Sequence, residues 1–369
     1  MKLLFLTVIP SPYQRQLFSA LAETGEVDLS VFYFTAGAHD REWKRPDLMP
    51  FETILDGRTV MKLGPSAHWN PSIMAAIDQV QPDLTVISDY SALTAQLAMR
   101  RLSWRKSPWM FWGEVPGFSQ RGPIGSLIRK QLQAPIAKAS AIAGMGSVAV
   151  NAYENLFPDV PVFNIPYFCD LSRFQAARNK AKPKDTIDVL FSGQMIPRKG
   201  LDVLIEAFDK VARKHPKLRI LTLGSGPEQE RYEQSVPADL RERVIFQGHK
   251  DPADLPDVFA AADVFCLPSR HDGWGVVVNE AIGAGLPILT TDAVGSGPDL
   301  VREGRNGYIT PAGDAAALAT VLDRIAGDDA LRQSMAETSA SMADHWDVTE
   351  GARRWIETVR TVSPKAFGA

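Results

Sequence analysis

The sequence predicts an α/β fold with two doubly wound, parallel-sheet domains. Short apolar runs alternate with longer amphipathic stretches, and such runs are typical of parallel strands that helices cover on both faces. The alternation stops within 169–185, where 175–185 is polar, basic and without strand character, and then begins again. With 369 residues, the chain is also long enough for two domains.

The domain boundaries follow from this pattern. We expect a first domain over 1–170, a linker over 171–185, a second domain over 186–348 and a C-terminal segment over 349–369. Ligands of doubly wound domains bind at the carboxyl ends of the strands, so the two domains are expected to face each other across a cleft.

The first half begins with an apolar run that has two interpretations. It is similar to a signal peptide, but Pro10 and Pro12 cut it short and no small-x-small cleavage site follows, so we interpret it as a buried strand. Strands are predicted at 2–8, 29–34, 83–88, 109–112, 141–145 and 162–165. Helical patterns lie between them at 13–23, 71–79, 92–101 and 147–157.

The second half repeats the rhythm. Strands are predicted at 187–192, 219–223, 244–247, 264–267 and 287–290. Helices are predicted at 201–214, 228–234, 254–261, 275–284 and 315–326. A last helix over 349–362 carries Trp355 and Ile356 beside charged residues, and it either packs back on the first domain or covers the second.

Composition and charge exclude several classes of function. A net charge of −3 gives no global attraction for nucleic acid. No run approaches the roughly 18 apolar residues of a membrane span. Cys169 and Cys266 lie far apart in sequence, which excludes a disulfide framework and suits a reducing cytoplasm. We therefore expect a globular, cytoplasmic protein.

A candidate anion site follows the first strand of the second half. Arg198 and Lys199 lie on the loop between that strand and the next helix, beside Gly193 and Gln194. A helix N-terminus adds partial positive charge and N–H groups, so the loop suits a diphosphate. The alternative, a solvated basic pair, is disfavoured because cations at a helix start oppose the helix dipole. A later Gly224-Ser-Gly226-Pro227 is weak as a dinucleotide fingerprint and is better interpreted as a tight turn.

The most informative motif is 268–281, in which Asp272 and Glu280 lie eight residues apart. Gly273 and Gly275 form a turn that permits close approach of a ligand, and Trp274 and Val276 belong to the same turn. Glu280 falls about 1.4 turns into the helix that follows, within reach of a ligand at the helix start. The alternative makes Asp272 an N-cap and Glu280 half of a buried ion pair.

These motifs resemble those of the retaining glycosyltransferases of family 4. The family pattern Pro-Ser-x-x-Glu-Gly-Phe-Gly-x-x-x-x-Glu-Ala, followed by Gly-x-Pro-x-x-x-Thr, is similar to 268–290, and 197–200, 224–227 and 246–248 also match in order and spacing. The resemblance covers nearly all of 187–310. It implies the GT-B fold, with two Rossmann-like domains facing across a cleft.

The resemblance also implies roles for the motif residues. Arg198 and Lys199 would bind the diphosphate of a nucleotide-sugar donor, Glu280 the ribose hydroxyls, and Asp272 the sugar hydroxyls, with Arg198, Lys199 and Asp272 as the catalytic group. The implied donor-binding residues are Gly193, Gln194, Gly273, Trp274, Gly275, Val276 and Glu280. No cofactor and no metal are expected, since family members generally need no metal and the sequence has no Asp-x-Asp near the predicted cleft.

Two positions depart from the family pattern. Asp272 stands where the family has glutamate, and its side chain is one methylene, about 1.5 Å, shorter. Gln194 stands where the family often has arginine. Arg198 is suited to replace that cation, because its planar fork matches phosphate.

Three residues of the first half are candidates for the acceptor side. Tyr13 follows the first strand, and Trp112 and Glu114 lie at the end of the fourth, so all three are expected at the cleft edge. There they either contact an acceptor sugar or pack loops. Segment 121–138 mixes apolar and basic residues, so it either touches an anionic membrane or a lipid-linked acceptor, or it is a helix that covers the sheet.

The sequence thus predicts a retaining, metal-independent glycosyltransferase with a nucleotide-sugar donor and a glycan or lipid-linked acceptor, in cell-surface polysaccharide or glycolipid synthesis. It would be cytoplasmic, with an option for peripheral contact at the inner face of the membrane. Two alternatives stay open: a GT-B nucleotide-sugar epimerase, and a non-catalytic sugar-nucleotide-binding protein.

Overall fold

The computed structural model describes residues 1–37, 47–59, 68–116, 122–179 and 184–367. The chain forms two compact units, of which unit 1 comprises Met1–Tyr167 with Val348–Ala369 and unit 2 comprises Phe168–Asp347. None of the helices in these ranges combines the length and apolar character that crossing a bilayer requires.

Unit 1 is built on a seven-stranded parallel sheet. Its strands are β1 (Lys2–Thr7), β2 (Asp28–Tyr33), β3 (Glu52–Ile54), β6 (Leu84–Ile87), β7 (Trp109–Gly113), β8 (Ala141–Gly144) and β9 (Val162–Asn164), in the order β3-β2-β1-β6-β7-β8-β9. A separate antiparallel pair joins β4 (Arg58–Thr59) and β5 (His68–Trp69). The helices are α1 (Pro12–Glu23), α2 (Ile73–Val80), α3 (Leu93–Arg105), α4 (Pro123–Gln133), α5 (Ser147–Leu156) and α14 (Val348–Val362).

The apolar run at the start of the sequence forms the central strand β1. Leu3 and Phe5 pack into the core on one face of the sheet, and Leu4 and Leu6 pack into the core on the other. This alternation is the period of two that a strand imposes on its side chains. Because both faces are covered, the strand reads as continuously apolar, as expected for a doubly wound sheet.

The C-terminal helix α14 packs in unit 1. Trp355 is fully buried, with its ring 5.0 Å from that of Phe5 and 5.2 Å from that of Trp112 at 88°. Ile356 and Val359 join the same core. Of the two packing alternatives for this helix, the structure has the first, in which it returns to the N-terminal unit.

Unit 2 has a six-stranded parallel sheet. Its strands are β10 (Ile187–Ser192), β11 (Leu218–Leu223), β12 (Val244–Phe246), β13 (Val264–Leu267), β14 (Ile288–Thr291) and β15 (Gly307–Thr310), in the order β12-β11-β10-β13-β14-β15. The helices are α6 (Ser172–Arg178), α7 (Leu201–Val211), α8 (Gln229–Ser235), α9 (Leu255–Ala260), α10 (Val277–Gly283), α11 (Gly297–Leu300), α12 (Ala315–Gly327) and α13 (Asp329–Met342). The strand order reverses between β10 and β13, and ligands of such sheets bind beside this switch point.

The unit boundaries differ from the predicted ones. Units meet in sequence at Tyr167 and Phe168, and the first part of the predicted linker 171–185 forms α6 inside unit 2. The ring of Phe174 packs edge-on against Phe259 at 5.4 Å. A helix this short with few apolar positions gives little periodic signal, which is why its sequence reads as a linker. Residues 180–183 of that linker lie outside the described ranges.

Candidate functional site

The site begins with two loops that follow β10 and β13 and pack on each other. Gly200 has a φ of +72°, and a Cβ there would lie 2.0 Å from the Pro268 carbonyl oxygen, so the approach requires glycine. The backbone N–H of Arg270 donates to the backbone carbonyl of Arg198 at 2.8 Å. The Arg270 guanidinium also binds both carboxylate oxygens of Asp202, at 2.8 and 2.7 Å. These contacts fix the basic loop after β10 against the motif loop after β13.

The structure brings Arg198, Lys199 and Asp272 together, although 73 residues separate Lys199 from Asp272. Lys199 Nζ forms an ion pair with Asp272 Oδ2, and each side chain is 13% exposed. Arg198 is 42% exposed, with its Nη1 3.8 Å from Asp272 Oδ1 and 2.9 Å from the His271 carbonyl oxygen, to which it donates. Two cations and one carboxylate give the cluster a net charge of about +1, which suits an anionic ligand.

His271 is a polar neighbour that the sequence did not point out. Burial lowers the pKa of its imidazole, and the positive charge of Arg198 lowers it further. The lowered pKa favours the neutral imidazole at pH 7, so His271 adds little charge to the cluster. Its one signal in the sequence is its place beside Asp272.

The loop that carries Asp272 is held by its backbone. The Asp272 N–H donates to the Ala293 carbonyl, and the Asp272 carbonyl accepts from the Gly295 N–H, both at 3.0 Å. Helix α10 begins at Val277, and its N-cap is Val276, which makes no side-chain capping bond. The alternative that Asp272 is the N-cap is therefore wrong, and its carboxylate turns to Lys199 instead.

Trp274 is a core residue and not a donor-binding side chain. It is 1% exposed, its Nε1 donates to Asn279 Oδ1 at 2.8 Å, and its ring lies 6.1 Å from that of Trp346. The expected role of the Trp274 side chain is therefore corrected, whereas Val276 of the same turn is partly exposed. Gly275 in this turn has a φ of +84°.

Glu280 lies in the first turn of α10 and is 4% exposed. Burial raises the pKa of the Cys169 thiol, and the negative charge of Glu280 raises it further. The Glu280 carboxylate therefore lies near Cys169, at the start of unit 2. So little of Glu280 is exposed that a ribose could bind it only by lying directly against α10.

Gly193 and Gln194 follow β10, beside the cluster. A Cβ at Gly193 would lie 3.6 Å from Lys199 Cδ, so this position borders the lysine stem. The Gln194 side chain is exposed. The nearby turn at Gly224 packs on the same backbone, since a Cβ at Gly224 would lie 2.2 Å from the Gly193 carbonyl oxygen. Packing thus accounts for this glycine, as the interpretation as a tight turn requires.

Unit 1 has a pocket of about 300 Å³ at the carboxyl ends of β1, β6, β7 and β8. Glu114 lines it, whereas Tyr13 lies in the first turn of α1 outside the lining. Trp112 is fully buried against Trp355 and donates from Nε1 to the Ile165 carbonyl at 3.1 Å. The expectation that Trp112 stacks on a sugar is therefore wrong.

Segment 121–138 exposes an apolar face. Ile124, Leu127 and Ile128 on α4 are 77%, 60% and 51% exposed, and their spacing places them on one side of the helix. We call these three residues the α4 apolar patch. Helix α4 ends at Gln133, before Pro135. Such exposure does not fit the alternative of a helix that covers the sheet. Arg121 lies outside the described ranges.

Within those described ranges, no three His, Cys, Asp or Glu side chains group closely enough to bind a metal ion. The two cysteines are both free and buried.

Known proteins are similar to this chain in sequence and in structure. Residues 172–342 match the family of glycosyl transferases group 1. The chain is 33% identical over 182 residues to a phosphatidyl-myo-inositol mannosyltransferase of Mycobacterium leprae, covering 48% of each. It is 33% identical over 208 residues to a D-inositol 3-phosphate glycosyltransferase of Streptomyces avermitilis, covering 51% of this chain and 45% of that protein. The chain thus spans about half the length of these relatives.

The crystal structure of Anabaena HepE in complex with UDP resembles the whole chain. The TM-score is 0.74 at 20% identity, and the match covers 98% of this chain and 100% of that one. Together with the two parallel-sheet units, this likeness confirms the predicted GT-B fold.

Proposed function

We propose that this GT-B chain, whose residues 172–342 match the family of glycosyl transferases group 1, transfers a sugar from a nucleoside diphosphate donor to a glycan or lipid-linked acceptor. The observation that carries the proposal is the cluster of Arg198, Lys199 and Asp272 beside the switch point of unit 2. The names of the matching relatives, a mannosyltransferase and a glycosyltransferase, support the reaction class. We place the reaction in cell-surface polysaccharide or glycolipid synthesis.

The two cations would bind the diphosphate and stabilise it as the leaving group. Lys199 is preorganised for this task, because its ion pair with Asp272 and its low exposure hold the ammonium in one place. One donor placed in this way typically contributes about 3–4 kcal/mol to transition-state stabilisation. We propose that Arg198 and Lys199 carry this role without a metal ion, and that Arg198 replaces the cation missing at Gln194.

Asp272 would accept hydrogen bonds from the hydroxyls of the donor sugar. Its backbone bonds to Ala293 and Gly295 and its contact with Lys199 fix a side chain that is shorter than the family's glutamate. The sugar must then lie beside the lysine, which also contacts the phosphate. We propose that departure of the diphosphate and attack of the acceptor occur on the same face of the sugar, so that the configuration is retained, as in the family that the motifs resemble.

Incubation of the purified chain with a panel of nucleotide sugars tests the proposal, with UDP-sugars first because Anabaena HepE was crystallised with UDP. Transfer or slow hydrolysis of a donor supports it. Interconversion of the sugars would instead indicate an epimerase, and binding without turnover a non-catalytic binding protein. Lys199→Ala should lower the activity at least about tenfold. Lys210→Ala, which changes an exposed lysine of α7, should not.

We further propose peripheral contact of unit 1 with an anionic membrane surface through the α4 apolar patch. Arg129 and Lys130 are on the same helix, and apolar burial combined with basic residues is the usual basis of such contact. Two buried free cysteines suit a cytoplasmic location, which would place the contact at the inner face.

Sedimentation with phosphatidylglycerol vesicles tests this contact. The wild type should bind these vesicles, bind phosphatidylcholine vesicles less, and be released by high salt. Ile128→Glu should weaken binding, whereas Leu156→Glu on α5 should not, although both wild-type side chains are 51% exposed. Equal binding of the two variants would contradict the assignment.

A further inference from the structure

The pocket of unit 1 has a lining of distinct chemistry. Its described lining residues include the carboxylates Asp89 and Glu114, several hydroxyl groups and aromatic rings, and none of them is Lys, Arg or His. Its volume of about 300 Å³ lies at the lower end of small-molecule sites. It is thus sized for a small polar unit and not for an extended chain.

Asp89 is held in place by its neighbours. One carboxylate oxygen accepts from the Ser91 hydroxyl at 2.8 Å, and the other accepts from the Ala92 N–H at 2.6 Å, just before α3. Each oxygen keeps a further lone pair, so the group presents fixed acceptors to the pocket. Hydroxyl donors complement such acceptors, whereas a phosphate would be repelled by the carboxylate charge.

Aromatic side chains form another part of the lining. The ring of Phe111 lies 6.0 Å from that of Tyr90 and 5.7 Å from that of Tyr153, and Tyr167 lies at the same pocket. The Tyr153 hydroxyl donates to the Glu114 carbonyl at 2.8 Å, which ties the loop after β7 to this wall. Tyrosine combines an apolar ring with a polar tip, as a sugar ring combines C–H faces with hydroxyl edges.

We infer that this pocket binds an uncharged sugar ring of the acceptor and selects against a ring that carries phosphate. The inference rests on the proposed transfer function and adds to it the chemical class of the acceptor group. The selectivity comes from Asp89 and Glu114, whose negative charge acts on any anion in the pocket.

Matched pairs of probes test the inference on the full chain in the presence of UDP. Methyl α-mannoside, methyl α-glucoside and methyl α-galactoside are each compared with their own 6-phosphate, by titration calorimetry or saturation-transfer NMR. At least one neutral glycoside should bind, and should bind at least about tenfold tighter than its phosphate. The preference should decrease as salt is added.

Variants locate the selectivity in the pocket. Glu114→Lys should reduce the preference at least about fivefold, and Asp89→Asn should reduce it too. Glu23→Lys makes the same change of charge as Glu114→Lys at the far end of α1, and it should leave the preference unchanged. If Glu114→Lys and Glu23→Lys change the preference for the neutral glycoside by the same amount, the inference is overturned.

Two results with the wild type would also overturn it: a 6-phosphate that binds as tightly as its neutral partner, or a chain that binds UDP but no member of any pair. Failure of the proposed transfer reaction is distinguishable, because it would appear as absent UDP binding and turnover while the preference for neutral glycosides persists.

Discussion

Replacing Asp272 with asparagine removes the one negative charge from the cluster that we assign to the diphosphate. Asp272 contacts Lys199 Nζ, and its other oxygen lies 3.8 Å from Arg198 Nη1. Asparagine keeps the shape and one oxygen acceptor, so the loop should hold its position through its backbone bonds. We therefore expect Asp272→Asn to bind the nucleoside diphosphate more tightly and to turn over more slowly.

The size of the affinity change follows from the geometry. A phosphate oxygen on Lys199 would lie about 5 Å from the Asp272 carboxylate, because both anions would flank one ammonium group. At about 5 Å, Coulomb's law gives about 0.8 kcal/mol of repulsion in water and about 3.3 kcal/mol at an effective dielectric constant of about 20. The side chains of Lys199 and Asp272 are each 13% exposed. With partial solvent screening we expect about 1–2 kcal/mol, or about 5- to 30-fold tighter binding.

Turnover should change in the opposite direction. The charged carboxylate is the acceptor that we assign to the sugar hydroxyls, and a neutral amide accepts a weaker hydrogen bond. A lost charge-assisted bond of about 1.5–3 kcal/mol corresponds to a fall in kcat of about 10- to 150-fold. Tighter binding of the product nucleotide would slow its release and so lower the turnover further.

Calorimetric titration with UDP and steady-state kinetics with the best donor of the panel measure the two effects separately. Asp323→Asn is the matched control, since Asp323 also pairs with a lysine, Lys214 at 2.8 Å, on the surface of unit 2. This control should leave both quantities unchanged. Weaker or unchanged UDP binding by Asp272→Asn would refute the placement of the diphosphate at Lys199.

Three further predictions have defined outcomes. Lys199→Ala and Glu280→Ala should each lower kcat or raise the donor KM at least about tenfold, and wild-type kinetics in both would contradict the donor site. Gly200→Ala should destabilise unit 2 by about 2–4 kcal/mol in urea unfolding, because its Cβ would lie 2.0 Å from the Pro268 carbonyl oxygen at a φ of +72°. Gly304→Ala has a φ of +70° with nothing within 4 Å, so it should cost only about 1 kcal/mol, and equal losses would exclude the clash as the cause. Hydrogen bonds from Arg353 and then Arg354 lower the pKa of Glu350 in α14 from 4.5 to about 2. The stability that this carboxylate contributes is therefore present above about pH 4.5 and lost as the pH falls toward 2, by about 1–2 kcal/mol after solvent screening. Glu350→Gln should be less stable than the wild type at pH 7 by about that amount, and the difference should vanish near pH 2; a difference independent of pH would exclude this ion pair as the cause.

Much of the fold was predictable because its signals are local. Continuous apolar runs such as that of β1 identify strands covered on both faces, and the repeated alternation identifies two parallel sheets. β3 and α6 were missed because neither sequence contains a run of apolar residues with a clear period. The sequence left open whether α14 packs on unit 1, because an apolar stripe on a helix does not identify the core against which the helix packs.

The candidate site was likewise predictable only in part. The motif 268–281 and the basic loop after β10 were visible in the sequence, because each is a short run with a fixed spacing. Their meeting was not visible, since the ion pair of Lys199 with Asp272 depends on the pairing of β10 with β13. The pocket of unit 1 was likewise hidden, because its lining comes from loops after four different strands.

The sequence by itself determined where most of the strands and helices lie and which residue types could bind a donor. The tertiary structure alone decided where individual side chains point. Trp112 lies near the carboxyl end of β7 and Trp274 lies in the loop after β13, both at places suited to ligand contact. Both are nevertheless buried against tryptophans from distant parts of the chain, Trp355 and Trp346. The physical reason is that periodicity is a property of neighbouring residues, whereas burial depends on partners that only the folded chain brings together.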